Sequence, residues 1–137
     1  MSGTLAENPG GKPLRILIAD DQPFVRRAVR ALLETHEGWR VCGEASNGCE
    51  AIKQNDELKP DVIVMDLVMP QMNGLEATRR IRESSPRPRV LILTLYDLPE
   101  LNRVAQDAGA QACVLKSESI QHLVAAVANV TGTQPAN

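Results

Sequence analysis

The chain has 137 residues, enough for one domain with a core and too few for two. Its formal net charge of −2 argues against nucleic-acid binding driven by bulk charge. No apolar run approaches the ~20 residues that span a bilayer, and residues 1–13, rich in Gly, Pro and Asn, lack the apolar stretch of a signal peptide.

After that leader, strand and helix patterns alternate five times. The first strand candidate is 14–19, Leu14 to Ala19, and it runs straight into Asp20-Asp21. Phe24, Val25, Ala28, Val29, Leu32 and Leu33 then recur at helical spacing over 22–36, with Arg26, Arg27 and Arg30 off that face. A second strand is read at 39–45. Asn47 follows as the N-cap of a helix at 48–58 that stops before Pro60. The third strand, 62–66, is a wholly apolar run closed by Asp66, as expected of a strand buried on both faces in a parallel sheet. Leu75, Thr78 and Ile81 mark a helix at 73–84 before Pro86, and the fourth strand is 90–94, ending in Thr94. A helix near 98–108 has Pro99 in its first turn and Gly109 as its stop. The fifth strand is 112–116, ending in Lys116. A last helix, capped by Ser117, carries Ile120, Leu123, Val124, Val127 and Val130. With aromatics at 2%, the core has to be aliphatic. Cys42, Cys49 and Cys113 are scattered without a CxxC pair and read as small buried hydrophobes in a reducing, cytoplasmic setting.

Strict alternation implies parallel strands, right-handed crossovers and helices on both faces. The fold class expected is α/β: a flavodoxin-like, doubly wound five-stranded sheet of order 2-1-3-4-5 with five helices. That order puts its ligand crevice between the first and third strands. Those two strands end in Asp20-Asp21 and Asp66. Crowded carboxylates repel and raise one another's pKa, and a bound hard cation removes that penalty. Mg²⁺ prefers one or two carboxylates, waters and a phosphate, and the absence of nearby His or Cys argues against zinc. The plainer reading is that acids after strands are ordinary loop residues. Thr94 and Lys116 lie on the same rim and can hold phosphoryl oxygens, although Thr94 could also cap the next helix and Lys116 could be a surface lysine. Carboxylates form aspartyl-phosphates, and Asp66 on the central strand is the candidate nucleophile.

Asp20-Asp21, Asp66-Leu67-Val68-Met69-Pro70 with Asn73-Gly74, Leu93-Thr94 and Leu115-Lys116 together resemble the receiver domain of bacterial two-component response regulators, most closely the nitrate/LuxR-type subfamily. The resemblance implies that 14–130 is the receiver domain; 131–137 reads as a flexible tail, and no output domain is expected in this chain although that subfamily usually continues into a DNA-binding helix-turn-helix domain, so it reads as either an excised or a stand-alone receiver. It implies Asp66 as phosphoacceptor, with Asp20, Asp21, Asp66 and the Val68 backbone carbonyl around Mg²⁺, and Thr94 and Lys116 on the phosphoryl oxygens. It further implies a sensor histidine kinase or phosphotransfer protein as donor. A homodimer through the fourth helix, fifth strand and fifth helix is a further implication, with no direct nucleic-acid or membrane binding by this domain. Arg26, Arg27 and Arg30 could help docking, or could simply be a solvated face. The family's switch uses an aromatic three residues before the Lys, and here that position is Cys113. Tyr96, two residues after Thr94, is read together with Val68 as a shield for the acyl phosphate. A pseudo-receiver that works without phosphate is the competing class. An aspartate-nucleophile phosphatase is disfavoured, because Val68 stands where such hydrolases carry a second acid.

Overall fold

A computed structural model of the chain describes residues 11–116 and 120–132. Its strands are β1 (Leu14–Ala19), β2 (Trp39–Ala45), β3 (Val62–Asp66), β4 (Arg89–Thr94) and β5 (Ala112–Leu115). They form one sheet in the order β2-β1-β3-β4-β5, with every neighbouring pair parallel. Helices α1 (Pro23–Leu33), α2 (Gly48–Leu58), α3 (Gly74–Ser84), α4 (Pro99–Ala108) and α5 (Ile120–Thr131) connect or follow them. This is the expected flavodoxin-like arrangement. Among the described residues no helix is long and apolar enough to cross a membrane.

The alternation of side chains along each strand builds two aliphatic layers. On one face Ile16, Ile18, Val62, Val64, Leu91 and Leu93 pack with Val29 and Leu33 of α1 and with Leu123 and Val127 of α5. On the other, Leu17, Ile63, Met65 and Ile92 meet Ala51 of α2, Ile81 of α3 and Ala105 of α4. All of β3 is buried, as its unbroken apolar run requires.

The helix ends follow local chemistry. Asn47 Oδ1 accepts the Glu50 N–H at 2.8 Å, and Asn73 Oδ1 accepts that of Glu76 at 2.9 Å. Gly109 ends α4 with φ +107°, a left-handed conformation that suits glycine. Four starts shift by one residue from the periodic reading, α1 to Pro23, α3 to Gly74, β4 to Arg89 and α4 to Pro99, and two ends differ as well. Helix α1 stops at Leu33 rather than 36, because the Thr35 hydroxyl bonds back to Leu32 O and the chain turns at Gly38 (φ +88°). Strand β5 ends at Leu115, one residue short of Lys116. Ser117, the leader through residue 10 and the tail from 133 lie outside the described residues.

The face of α1 is also corrected. Val25, Val29, Leu32 and Leu33 turn inward, whereas Phe24 is 76% exposed and Ala28 is exposed as well. Phe24 belongs to a first turn whose neighbours Asp21, Gln22 and Pro23 are all exposed.

Candidate functional site

Because β1 and β3 are adjacent and parallel, their C-terminal ends lie side by side. Asp66 closes β3, in register with Leu93 of β4, and Asp20 follows the last residue of β1. The Asp20 N–H donates to Ala45 O of β2 at 3.0 Å, and its Oδ1 accepts the Gln22 N–H at 3.0 Å. Asp20 and Asp66 are buried and Asp21 is exposed, and one oxygen from each carboxylate lies within 4.8 Å of the others. Three carboxylates are thus brought together by adjacent parallel strand ends.

The other two strand ends supply the complement. Thr94 is buried, and its Oγ1 accepts the Tyr96 N–H at 3.0 Å. Lys116 donates its backbone N–H to Thr94 O at 2.7 Å, which fixes it beside β4. Its Nζ stands 2.9 Å from Asp20 Oδ2 and 3.2 Å from Asp66 Oδ1. Lys116 is therefore an ammonium bridging two acids, not a solvated surface lysine. One ammonium does not neutralise three carboxylates. Burial, and then the charge of Asp20, hold the Asp66 carboxyl above the usual range in spite of Lys116. Burial pulls Lys116 the other way, but its ion pairs with Asp20 and Asp66 outweigh it and raise its pKa. The buried Asp20 Oδ2 has this ion pair but no aligned donor. An all-oxygen acid set with such an under-satisfied atom fits a hard divalent cation such as Mg²⁺.

Asp21, Asp66, Thr94 and Lys116 open onto a cleft of about 330 Å³ whose walls also include Gln22, Val25, Leu95 and Tyr96, while Asp20 stays buried beside it. Val68, 58% exposed, and Tyr96, 53% exposed, stand at its mouth. Every strand-end residue singled out in the sequence is gathered here. Arg26 was not read this way. It does not sit on a solvated face: its Nη1 donates to Asp20 O at 2.7 Å and its Nε to Glu44 Oε1 at 2.9 Å. Arg30 also pairs with Glu44, at 2.8 Å, which leaves exposed Arg27 as the member of that trio without an ion pair among the described residues.

Residues 16–128 match the model of the response regulator receiver domain. The chain belongs to that family. Among the relatives of this receiver domain is the transcriptional regulatory protein YdfI of Bacillus subtilis, 41% identical over 109 residues, which cover 80% of this chain and 51% of that protein. Another is a protein-glutamate methylesterase/protein-glutamine glutaminase of Alkalilimnicola ehrlichii, 42% identical over 75% of this chain and 27% of the relative. A solved two-component response regulator of the LuxR family from Aurantimonas sp. SI85-9A1 superposes with a TM-score of 0.85 at 37% identity, covering 90% of this chain and 89% of that one. The receiver domain spans about half the length of YdfI and less of the methylesterase.

Cys113, at the position of the family's switch aromatic, is half-buried on β5, and burial raises its thiol pKa. A small cleft of about 50 Å³ borders it, lined also by Thr94, Leu98 and Leu101. Cys42 is half-buried too, but Cys49 is exposed on α2, so one of the three cysteines is not the buried hydrophobe expected of it.

Proposed function

We propose that Asp66 accepts a phosphoryl group from a histidine kinase or phosphotransfer protein, and that the domain changes conformation in response. The observation that carries this reading is the Lys116 ammonium set between Asp20 and Asp66, beside a third acid, at the floor of an open cleft. In the transfer, a carboxylate oxygen of Asp66 attacks phosphorus. A P–O bond forms, the P–N bond to the donor histidine breaks, and the imidazole leaves. In the loss step, water attacks phosphorus and the P–O bond to Asp66 breaks, releasing inorganic phosphate. Asp20, Asp21, Asp66 and the Val68 carbonyl are the groups that would hold Mg²⁺, which when bound offsets the charge of the acids and of the phosphoryl oxygens. Lys116 is placed to pair with a phosphoryl oxygen once the acids have a cation. The Thr94 hydroxyl, now only accepting from Tyr96 N–H, keeps its own proton to donate to that oxygen. Such a turn of Thr94 would pull on the segment that carries Leu95, Tyr96 and Leu98, all exposed. A face of α4, β5 and α5 that dimerises or meets an effector is the surface such a movement would reach. A cytoplasmic location and a role in transcription, as part of a longer regulator, accompany this reading.

The test is intact-mass measurement after incubation with Mg²⁺ and a small acyl phosphate. One added phosphate in the wild type, absent from Asp66→Asn, is the expected result. No adduct under any condition supports a phosphate-independent interaction module instead. Rapid turnover of phosphate esters would indicate a phosphatase. If Tyr96 shields the acyl phosphate, the adduct decays several-fold faster in Tyr96→Ala, and equal lifetimes remove that role.

A further inference from the structure

Asp21 is the least supported of the three acids. It is exposed, and its carboxylate makes no ion pair or hydrogen bond among the described residues. Asp20 is held by its own N–H and Oδ1, and Asp66 by β3 and Lys116. The peptide that precedes Asp21 places its Cα, from which its own φ and χ angles aim the carboxylate. That peptide is planar, so whatever fixes the Asp20 carbonyl fixes the direction in which Asp21 leaves.

Arg26 fixes that carbonyl. Its Nη1 donates to Asp20 O at 2.7 Å, while its Nε donates to Glu44 Oε1 at 2.9 Å. Glu44 precedes Ala45, whose own carbonyl accepts the Asp20 N–H at 3.0 Å. A closed ring results: Asp20 N–H to β2, β2 to Glu44, Glu44 to Arg26, and Arg26 back to Asp20 O. The side chain of Arg26 is 17% exposed and that of Glu44 27%, so water competes weakly for these bonds. Glu44 is held in turn by Arg30 at 2.8 Å, and burial, which raises its pKa, is outweighed by hydrogen bonds from Arg30 and Arg26 that keep it ionised. Mg²⁺ demands near-ideal octahedral geometry, so small errors in where its ligands point are costly.

We propose that Arg26 is a positioning residue for the cation site: through the Asp20 carbonyl and Glu44 it sets the placement of Asp21, and so the affinity for Mg²⁺. The proposal rests on the reading of Asp20, Asp21 and Asp66 as a Mg²⁺ site. Removing groups that orient metal ligands costs roughly 10–100-fold in affinity. The experiment is a Mg²⁺ titration of the whole chain followed by amide shifts of Asp20, Asp21 and Asp66, for the wild type, Arg26→Met and Arg26→Lys. Thermal melts establish that each is folded. A wild type that binds no Mg²⁺ overturns the site itself. Given wild-type binding, Arg26→Met is expected to raise the Mg²⁺ dissociation constant about tenfold. Arg26→Lys can reach one partner but not bridge both, and is expected to recover only part of that loss. Asp21 amide relaxation in the metal-free Met variant should show added motion. Phosphorylation by an acyl phosphate should fall at limiting Mg²⁺ and return at saturating Mg²⁺, a rescue that general destabilisation does not give. An unchanged dissociation constant in the folded Met variant, or in the folded Lys variant should Met fail to fold, overturns the proposal.

Discussion

Asp66 works against the stability of its own domain. Burial, and next the Asp20 charge, raise its pKa in the folded state. An acid with a raised folded pKa favours folding fully below its unfolded pKa, and that contribution is lost as pH rises through the folded value. At neutral pH without a cation, the ionised Asp66 is therefore a net cost. Asp66→Asn should raise the metal-free Tm at pH 7, and the gain should shrink as the buffer is acidified. Mg²⁺ should stabilise the wild type more than the variant. Melts across pH with and without the ion test this, and a variant less stable than wild type at pH 7 would refute it. The five strand-end residues could be read from sequence because each follows an unbroken apolar run, and parallel strands bring such ends to one rim. Arg26 could not. Its position on α1 is off the apolar stripe, and the group that draws it inward, Glu44, lies on β2 with no local sequence signal linking the two. Phe24 was misplaced for the converse reason: helical spacing puts it on the stripe but cannot tell that the start of α1 leaves it exposed.

At the level of elements, the join between β3 and α3 is tight. Gly74 begins α3 and donates its N–H to Leu67 O at 2.8 Å. A Cβ there would come within 2.3 Å of Asp66 O, which is backbone and cannot step aside cheaply. Gly74→Ala should therefore cost about 2–3 kcal/mol, or roughly 10 °C in Tm, and should displace Asp66 as well. Slower phosphorylation at saturating Mg²⁺ is the expected companion result. A variant with wild-type melting and rate would show that the loop relaxes without strain. Periodicity and capping residues located these elements well, because Asn47 and Gly109 act through neighbours three or four residues away, whereas Asn73 proved to be the N-cap of α3 and not its first residue. The end of α1 was less legible, since the choice between one more helical turn and a side-chain bond from Thr35 is decided by small local energies.

Across the whole molecule, the two edges of the sheet have separate tasks. The C-terminal edge carries the acids, Thr94 and Lys116. The N-terminal edge carries Trp39, buried and stacked on His36 with ring centroids 3.8 Å apart, about the length of a strand from the site. Strand order was legible in full because alternation and crossover handedness leave few choices. The response of the domain to phosphate was not, since Cys113 removes the aromatic by which the family's switch is usually read. Another residue bears on that response. Arg82, on α3, reaches across to the last turn of α4: its Nη2 donates to Gly109 O at 2.9 Å, and its Nη1 to Pro86 O, also at 2.9 Å. The other end of α4 has no side-chain cap, and Leu98 there is exposed. Arg82→Ala should thus lower hydrogen-exchange protection about tenfold over 105–110 and leave 100–103 unchanged, a loss spread evenly along the helix being the contrary result. Helix α4 is moored at its Gly109 end and unmoored at its Leu98 end, so a pull transmitted from Thr94 would meet the end least able to resist it.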